Sequence, residues 1–217
     1  MSVQTHQIPT NPAELLESPK VKQSLPKHLT LENSLELLNS VDGANERRDY
    51  CILTLFLNCG LRLSELCGLN LSDISSDGIM TVTGKGNKER AVYLNDSCLS
   101  AVKAYLAVRP NEGIVATDRN ALFISRNHRR ISPKTVQHIV KTYLSKAGLG
   151  GMGFSTHKLR HTAATLMYQH GNVDIRVLKD ILGHANLGTT QIYTHVSDAQ
   201  IKRAVDANPL SNVKDKK

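Results

Sequence analysis

Residues 78–94 read GIMTVTGKGNKERAVYL, and their period sets this stretch apart from the rest of the chain. Alternating, β-branched flanks on either side of Gly84-Lys85-Gly86-Asn87 predict a hairpin with a flexible turn. Upstream, LTLENSLELLNSV at 29–41 places apolar residues at 31, 35, 38 and 41 behind Thr30, which is helical spacing with a start signal. Arg47 to Asn58 continues as a second helix closed by Gly60, and SELCGL at 64–69 makes a third. A short strand near 71–74 is expected to pair with the hairpin. Downstream, helices are expected over 97–108, from Pro133 behind the N-cap Ser132 to Lys146, and from a Thr156 cap to about 169. Two more are expected at Val173–Leu182 and 197–207. The expected fold is mainly α with a small three-stranded antiparallel β-sheet, an α+β arrangement.

The whole chain has 217 residues, 40% hydrophobic and 21% charged, with Lys plus Arg at 27 against 19 for Asp plus Glu. The net charge of +8 suits a polyanionic partner. The longest apolar run, ILTLFL at 52–57, is far short of the ~18 residues a membrane span needs. No cationic start followed by an apolar core opens the chain, so a cytoplasmic protein without a membrane is expected. Cys51, Cys59, Cys67 and Cys98 form no C-x-x-C pair and are expected to be buried, reduced thiols. Prolines at 9, 12, 19 and 26 mark residues 1–27 as a leader or linker, ahead of a domain at 28–196 and a tail at 197–217.

Three motifs fail on inspection. GLGGMG at 148–153 matches a dinucleotide fingerprint in letters, but a helix leads into it where a strand is required, so it reads as a helix cap and turn. GKGN lacks the spacing of a phosphate-binding loop and has Gly86 where Ser or Thr would hold magnesium. His157-Lys158-Leu159-Arg160-His161 sets two imidazoles at i and i+4, but the catalytic Glu of a zinc hydrolase is Lys158 here.

A different set holds together. Arg62 lies among apolar neighbours, Lys85 tips the hairpin, His157 and Arg160 share a helix face, His184 follows Leu-Gly, and Tyr193 stands nine residues later. Each has an ordinary structural reading: Arg62 paired with Glu65, Lys85 a solvated turn residue, His157 a cap, His184 a core histidine, Tyr193 a packed aromatic. Jointly they fit phosphoryl transfer without a metal or cofactor. Guanidinium forks match the non-bridging oxygens, a phenol is the nucleophile, a histidine assists its proton and a lysine protonates the departing oxygen.

GLRLSEL, GKGNKER, HKLRHTAATLM and LGHANLGTTQIYTH, in this order, resemble the catalytic domain of the tyrosine recombinases of the phage-integrase family, most of all the Xer type. The resemblance covers about residues 11–206. It implies that Tyr193 takes the 3′-phosphate, Arg62 and Arg160 clamp the scissile phosphate, and Lys85 is the general acid. It also implies that His157 assists at the tyrosine, His184 binds a non-bridging oxygen, Glu65 supports Arg62, and His161 is structural. Such enzymes carry a helical clamp domain ahead of the catalytic one, and residues 11–30 resemble the linker between them. The chain is therefore expected to be cut at that linker, the alternative being a naturally short enzyme like the fimbrial phase-variation recombinases.

The implied partners are a double-stranded DNA recombination site and a homo- or hetero-tetramer of recombinase on it, with a monomer when free. The basic loop RNHRRISPK (Arg126, Arg129, Arg130, Lys134) and the helix start behind it form a candidate phosphate-backbone contact. Aromatic content of 4% without Trp favours duplex-backbone binding over single-strand stacking. The tail helix must dock, on a neighbouring protomer or on its own domain. Chromosome or plasmid dimer resolution is the expected use, with a mobile-element integrase next. A type IB topoisomerase-like enzyme or a non-catalytic DNA-binding regulator stands as the competing class.

Overall fold

The computed structural model describes residues 28–84, 86–171, 177, 182, 202–203, 205–211 and 213. Helix α1 (Leu31–Asn39) is capped by Thr30, whose hydroxyl accepts from the Asn33 amide. Helix α2 (Glu46–Cys59) runs through the middle: every residue from Cys51 to Cys59 is buried. A helix apolar on all sides belongs in a core, and α2 packs against α1, α4, α5 and α6. It stops at Gly60, whose φ of 58° is a left-handed cap that glycine adopts without strain.

The short α3 (Leu63–Gly68) follows at once, with Arg62 as its N-cap. Strands β1 (Ile79–Thr83) and β2 (Glu89–Tyr93) pair antiparallel, with Met80 opposite Val92 and Val82 opposite Arg90. Met80, Val82 and Val92 face the core. Helix α4 (Asp96–Leu106) is capped by Asn95, which also donates from Nδ2 to Asn58 Oδ1 at 2.9 Å and so ties the cap to α2.

Among the described residues the sheet has two strands rather than three. Residues 71–73 close as a 3-10 turn, with the Asn70 amide donating to Asp73 Oδ2, and Ile74 makes a single bridge to Met80. The backbone around this turn is already committed elsewhere: Leu71 N–H donates to the Asn120 carbonyl and Leu122 N–H to that of Leu69.

Helix α5 (Pro133–Lys146) has Ser132 as N-cap and Pro133 in its first turn. The glycine-rich stretch that follows is a helix stop: Leu149 N–H reaches back to the Leu144 carbonyl and Gly148 N–H to Ser145, with Gly148 at φ 73° and Leu149 buried. Helix α6 (Thr156–Gly171) begins at Thr156 itself and packs on α2.

The expected helix at 173–182 lies outside the described residues except at Val177 and Leu182, both buried. The described part of the tail packs on its own chain. Asn208 Nδ2 donates to the Leu57 carbonyl, Ser97 N–H to that of Ser211, and Leu210 is fully buried. All four cysteines are buried and free, with Cys59 and Cys98 sulfurs 3.7 Å apart. No described helix is long and apolar enough to cross a membrane.

Candidate active site

The stop at Gly60 and the immediate start of α3 put Arg62 on the outer edge of the core, with its side chain about a third exposed. Three residues on, Glu65 points inward, and its carboxylate is fully buried. Burying a lone carboxylate is costly, so its partners define the site. The Arg62 backbone N–H donates to Oε2 and Arg62 Nη1 to Oε1, both at 2.8 Å. From β2, Arg90 brings its guanidinium fork to the same carboxylate, Nη1 to Oε1 at 2.6 Å and Nη2 to Oε2 at 2.9 Å. From α6, Arg160 Nη1 stands 3.9 Å from Oε2.

Burial alone would push the Glu65 carboxyl up. Hydrogen bonds from Arg90 and Arg62 and the Arg90 charge reverse this and hold it at about 2. Glu65 is therefore ionised throughout the neutral range. One carboxylate among three guanidiniums leaves a formal surplus of two positive charges.

Arg160 is 5% exposed. Its Nη1 donates to the Gly60 carbonyl and its Nη2 to that of Leu182, so it bridges the end of α2 and the chain leading to His184. Burial and the nearby Arg62 lower its pKa to about 10, against the pull of Glu65, which leaves it cationic at neutral pH. Gly60 is packed so closely against Leu182 that a Cβ there would stand 2.7 Å from Leu182 Cδ2.

Of the residues singled out in the sequence, Arg62, Glu65 and Arg160 converge. His157 lies one turn before Arg160 on the same helix and is exposed. Its neighbour His161 meets His28 edge to face, with ring centroids 6.3 Å apart, and burial lowers its pKa. Among the described residues no group of three His, Cys, Asp or Glu gathers as a metal site. Lys85, His184 and Tyr193 lie outside the described residues. The hairpin turn that carries Lys85 starts beside the cluster, since a methyl built on Gly84 would stand 3.6 Å from Glu65 Oε1.

The sequence reading missed Arg90. The strand alternation held its signal: counting back from buried Val92 puts residue 90 on the inward face, where a cation needs a buried partner.

The basic loop divides. Arg126, Arg129 and Lys134 are exposed. Arg130 instead turns inward, donating to the carbonyls of Cys67, Gly68 and Leu69 and to Asn70 Oδ1. It holds the C-terminal end of α3, where a cation also complements the helix dipole.

A mostly helical domain thus gathers guanidiniums from three separate elements around one buried carboxylate. Residues 27–200 match the model of the phage integrase family, and the chain belongs to that family. It is 58% identical over 204 residues to the tyrosine recombinase XerC of Caldanaerobacter subterraneus subsp. tengcongensis, covering 94% of this chain and 57% of that protein. To the tyrosine recombinase XerA of Pyrococcus furiosus it is 41% identical over 207 residues, covering 93% and 68%. Among solved structures it resembles a crystal structure of XerA recombinase, with TM-score 0.66 and 30% identity over 82% of this chain and 64% of that one. It also resembles XerH site-specific recombinase bound to difH substrate in a pre-cleavage complex, with TM-score 0.65 and 27% identity over 75% and 48%. The chain thus spans little more than half the length of the XerC relative.

Proposed function

We propose that this chain is the catalytic part of a site-specific DNA recombinase that breaks and rejoins duplex DNA through a tyrosyl ester. The observation that carries the reading is the cluster of Arg62, Arg90 and Arg160 around buried Glu65, reached from α3, β2 and α6. Arg62 and Arg160 would take the two non-bridging oxygens of the scissile phosphate, where charge grows in the transition state. Tyr193 attacks phosphorus and the bond to O5′ breaks. The phenolic proton passes toward His157, and Lys85 gives a proton to the departing O5′. His184 donates to a non-bridging oxygen. The 3′-phosphotyrosyl ester conserves the phosphoester bond, so attack by a 5′-hydroxyl reseals the strand without ATP. Neither metal nor cofactor enters these steps.

The exposed Arg126, Arg129 and Lys134, with the α5 start, would lie along the duplex backbone, while Arg130 acts on the shape of the site. In the cytoplasm the enzyme would work as a homo- or hetero-tetramer on two sites through a Holliday junction, in chromosome or plasmid dimer resolution. Residues 1–27 would lead in from a clamp domain, 28–196 form the catalytic domain, and the tail from 197 would pass between protomers after leaving its position on α2 and α4. The bridge from Ile74 to Met80 supports a rudimentary third strand.

The test is recombination between two copies of a candidate site, in chelator and without ATP. Recombinant product from wild type and none from Tyr193→Phe supports the reading. Relaxation of a supercoiled circle that lacks the site would point to a topoisomerase instead. Binding of the site with neither activity would point to a regulator.

A further inference from the structure

Arg90 is the last residue of GKGNKER and has no role in the phosphoryl-transfer reading, yet it makes the bidentate contact with the buried carboxylate of the site. Its side chain is only 15% exposed, and it lies opposite Val82 in the strand register, so the inward face of β2 commits it to Glu65. The two oxygens it engages are the ones that hold the Arg62 backbone and guanidinium. On its own strand, the Gly84 N–H donates to the Lys88 carbonyl at 2.8 Å and closes the turn that contains Lys85. One fork therefore ties the β1–β2 hairpin to the residue that holds Arg62.

We propose that Arg90 is a positioning residue for strand cleavage: its fork orients Glu65 so that Arg62 is aimed at the phosphate, and it pins the β1–β2 hairpin, with the Lys85 turn, to α3. The inference rests on the recombinase reading above. Lysine would not substitute, because a single ammonium cannot match both carboxylate oxygens in plane. The groups facing Glu65 are Arg62 from the α3 cap, Arg90 from β2 and Arg160 from α6. Without Arg90, burial would raise the Glu65 carboxyl against fewer opposing charges.

The test compares Arg90→Lys and Arg90→Met with wild type in single-turnover cleavage of a nicked suicide duplex. Saturating protein is used across pH 5–9, with duplex affinity and thermal unfolding measured alongside. Misplaced catalytic groups should slow cleavage by about a hundredfold in Arg90→Met, with unchanged duplex affinity. Cleavage by that variant should also fall more steeply toward acid pH than wild type, because Glu65 takes up a proton in addition to the imidazole titration that both share. Arg90→Lys, which keeps the charge, should fold and still cleave slowly. Should Arg90→Met fail to fold, the lysine variant decides. Wild-type cleavage by either folded variant would overturn the proposal, as would a defect that more protein fully relieves, since that marks a DNA contact. Absence of any adduct from wild type on bound duplex would overturn the recombinase reading and this inference together. An adduct from wild type with unimpaired Arg90 variants would overturn this inference alone.

Discussion

Glu65→Gln replaces the buried carboxylate with an amide of the same shape. The wild-type side chain accepts from Arg62 N–H, Arg62 Nη1 and both Arg90 nitrogens at 2.6–2.9 Å. The variant places an NH2 against some of those donors and leaves three guanidiniums without their shared counter-charge. A carboxyl held at about 2 instead of its ordinary 4.5 contributes about 3 kcal/mol at neutral pH, and breaking a buried ion pair from one side costs about 3–5 kcal/mol. The sign follows from the depressed value: the contribution is complete above 4.5 and is lost as pH falls through 2. Urea unfolding followed by circular dichroism should show Glu65→Gln less stable by about 3 kcal/mol at pH 7, with the gap shrinking to about half by pH 3. A gap below about 0.5 kcal/mol, the range of an ordinary surface change, would refute the reasoning. So would one that stays constant with pH.

Other consequences are open to simple assays. Gly60→Ala adds a Cβ at positive φ and 2.7 Å from Leu182 Cδ2, so thermal unfolding should reveal a loss of about 2–4 kcal/mol. Leu210→Ala should cost about 2–5 kcal/mol in the same measurement, because the residue is fully buried against the core. Alanine at Arg126, Arg129 or Lys134 should each reduce the salt slope of duplex binding by about 1, whereas Arg130→Ala should lower stability and leave the slope unchanged. Burial raises the Cys67 thiol to about 11 and Cys98 well above its ordinary value. A thiol reagent at pH 8 should therefore label the cysteines only after denaturant is added.

The helices were legible because their signals are local. Thr30, Gly60, Ser132-Pro133 and Gly148 mark ends that the structure places within a residue or two of the expected positions. That residues 71–74 would make a turn and a single bridge in place of the expected strand was not legible, because it depends on residues 120–122, some fifty positions away, whose backbone takes up the groups beside the turn. Arg62 and Arg160 were visible as polar residues in apolar segments, Glu65 as the partner of Arg62, and the structure joins the three. Arg90 escaped because GKGNKER reads as a charged turn unless the alternation is carried back from Val92. Arg130 looked like its neighbour Arg129, since charge counting along a loop does not tell which guanidinium turns in to meet free carbonyls at a helix end.

The central claim is that Tyr193 becomes covalently joined to DNA at a phosphate held by Arg62 and Arg160. The most direct measurement is peptide mapping of the adduct trapped on a nicked suicide duplex. The account predicts a single phosphotyrosyl peptide containing Tyr193, absent from Tyr193→Phe and strongly reduced in Arg160→Ala. An adduct at another residue, or one that persists in Tyr193→Phe, would contradict it.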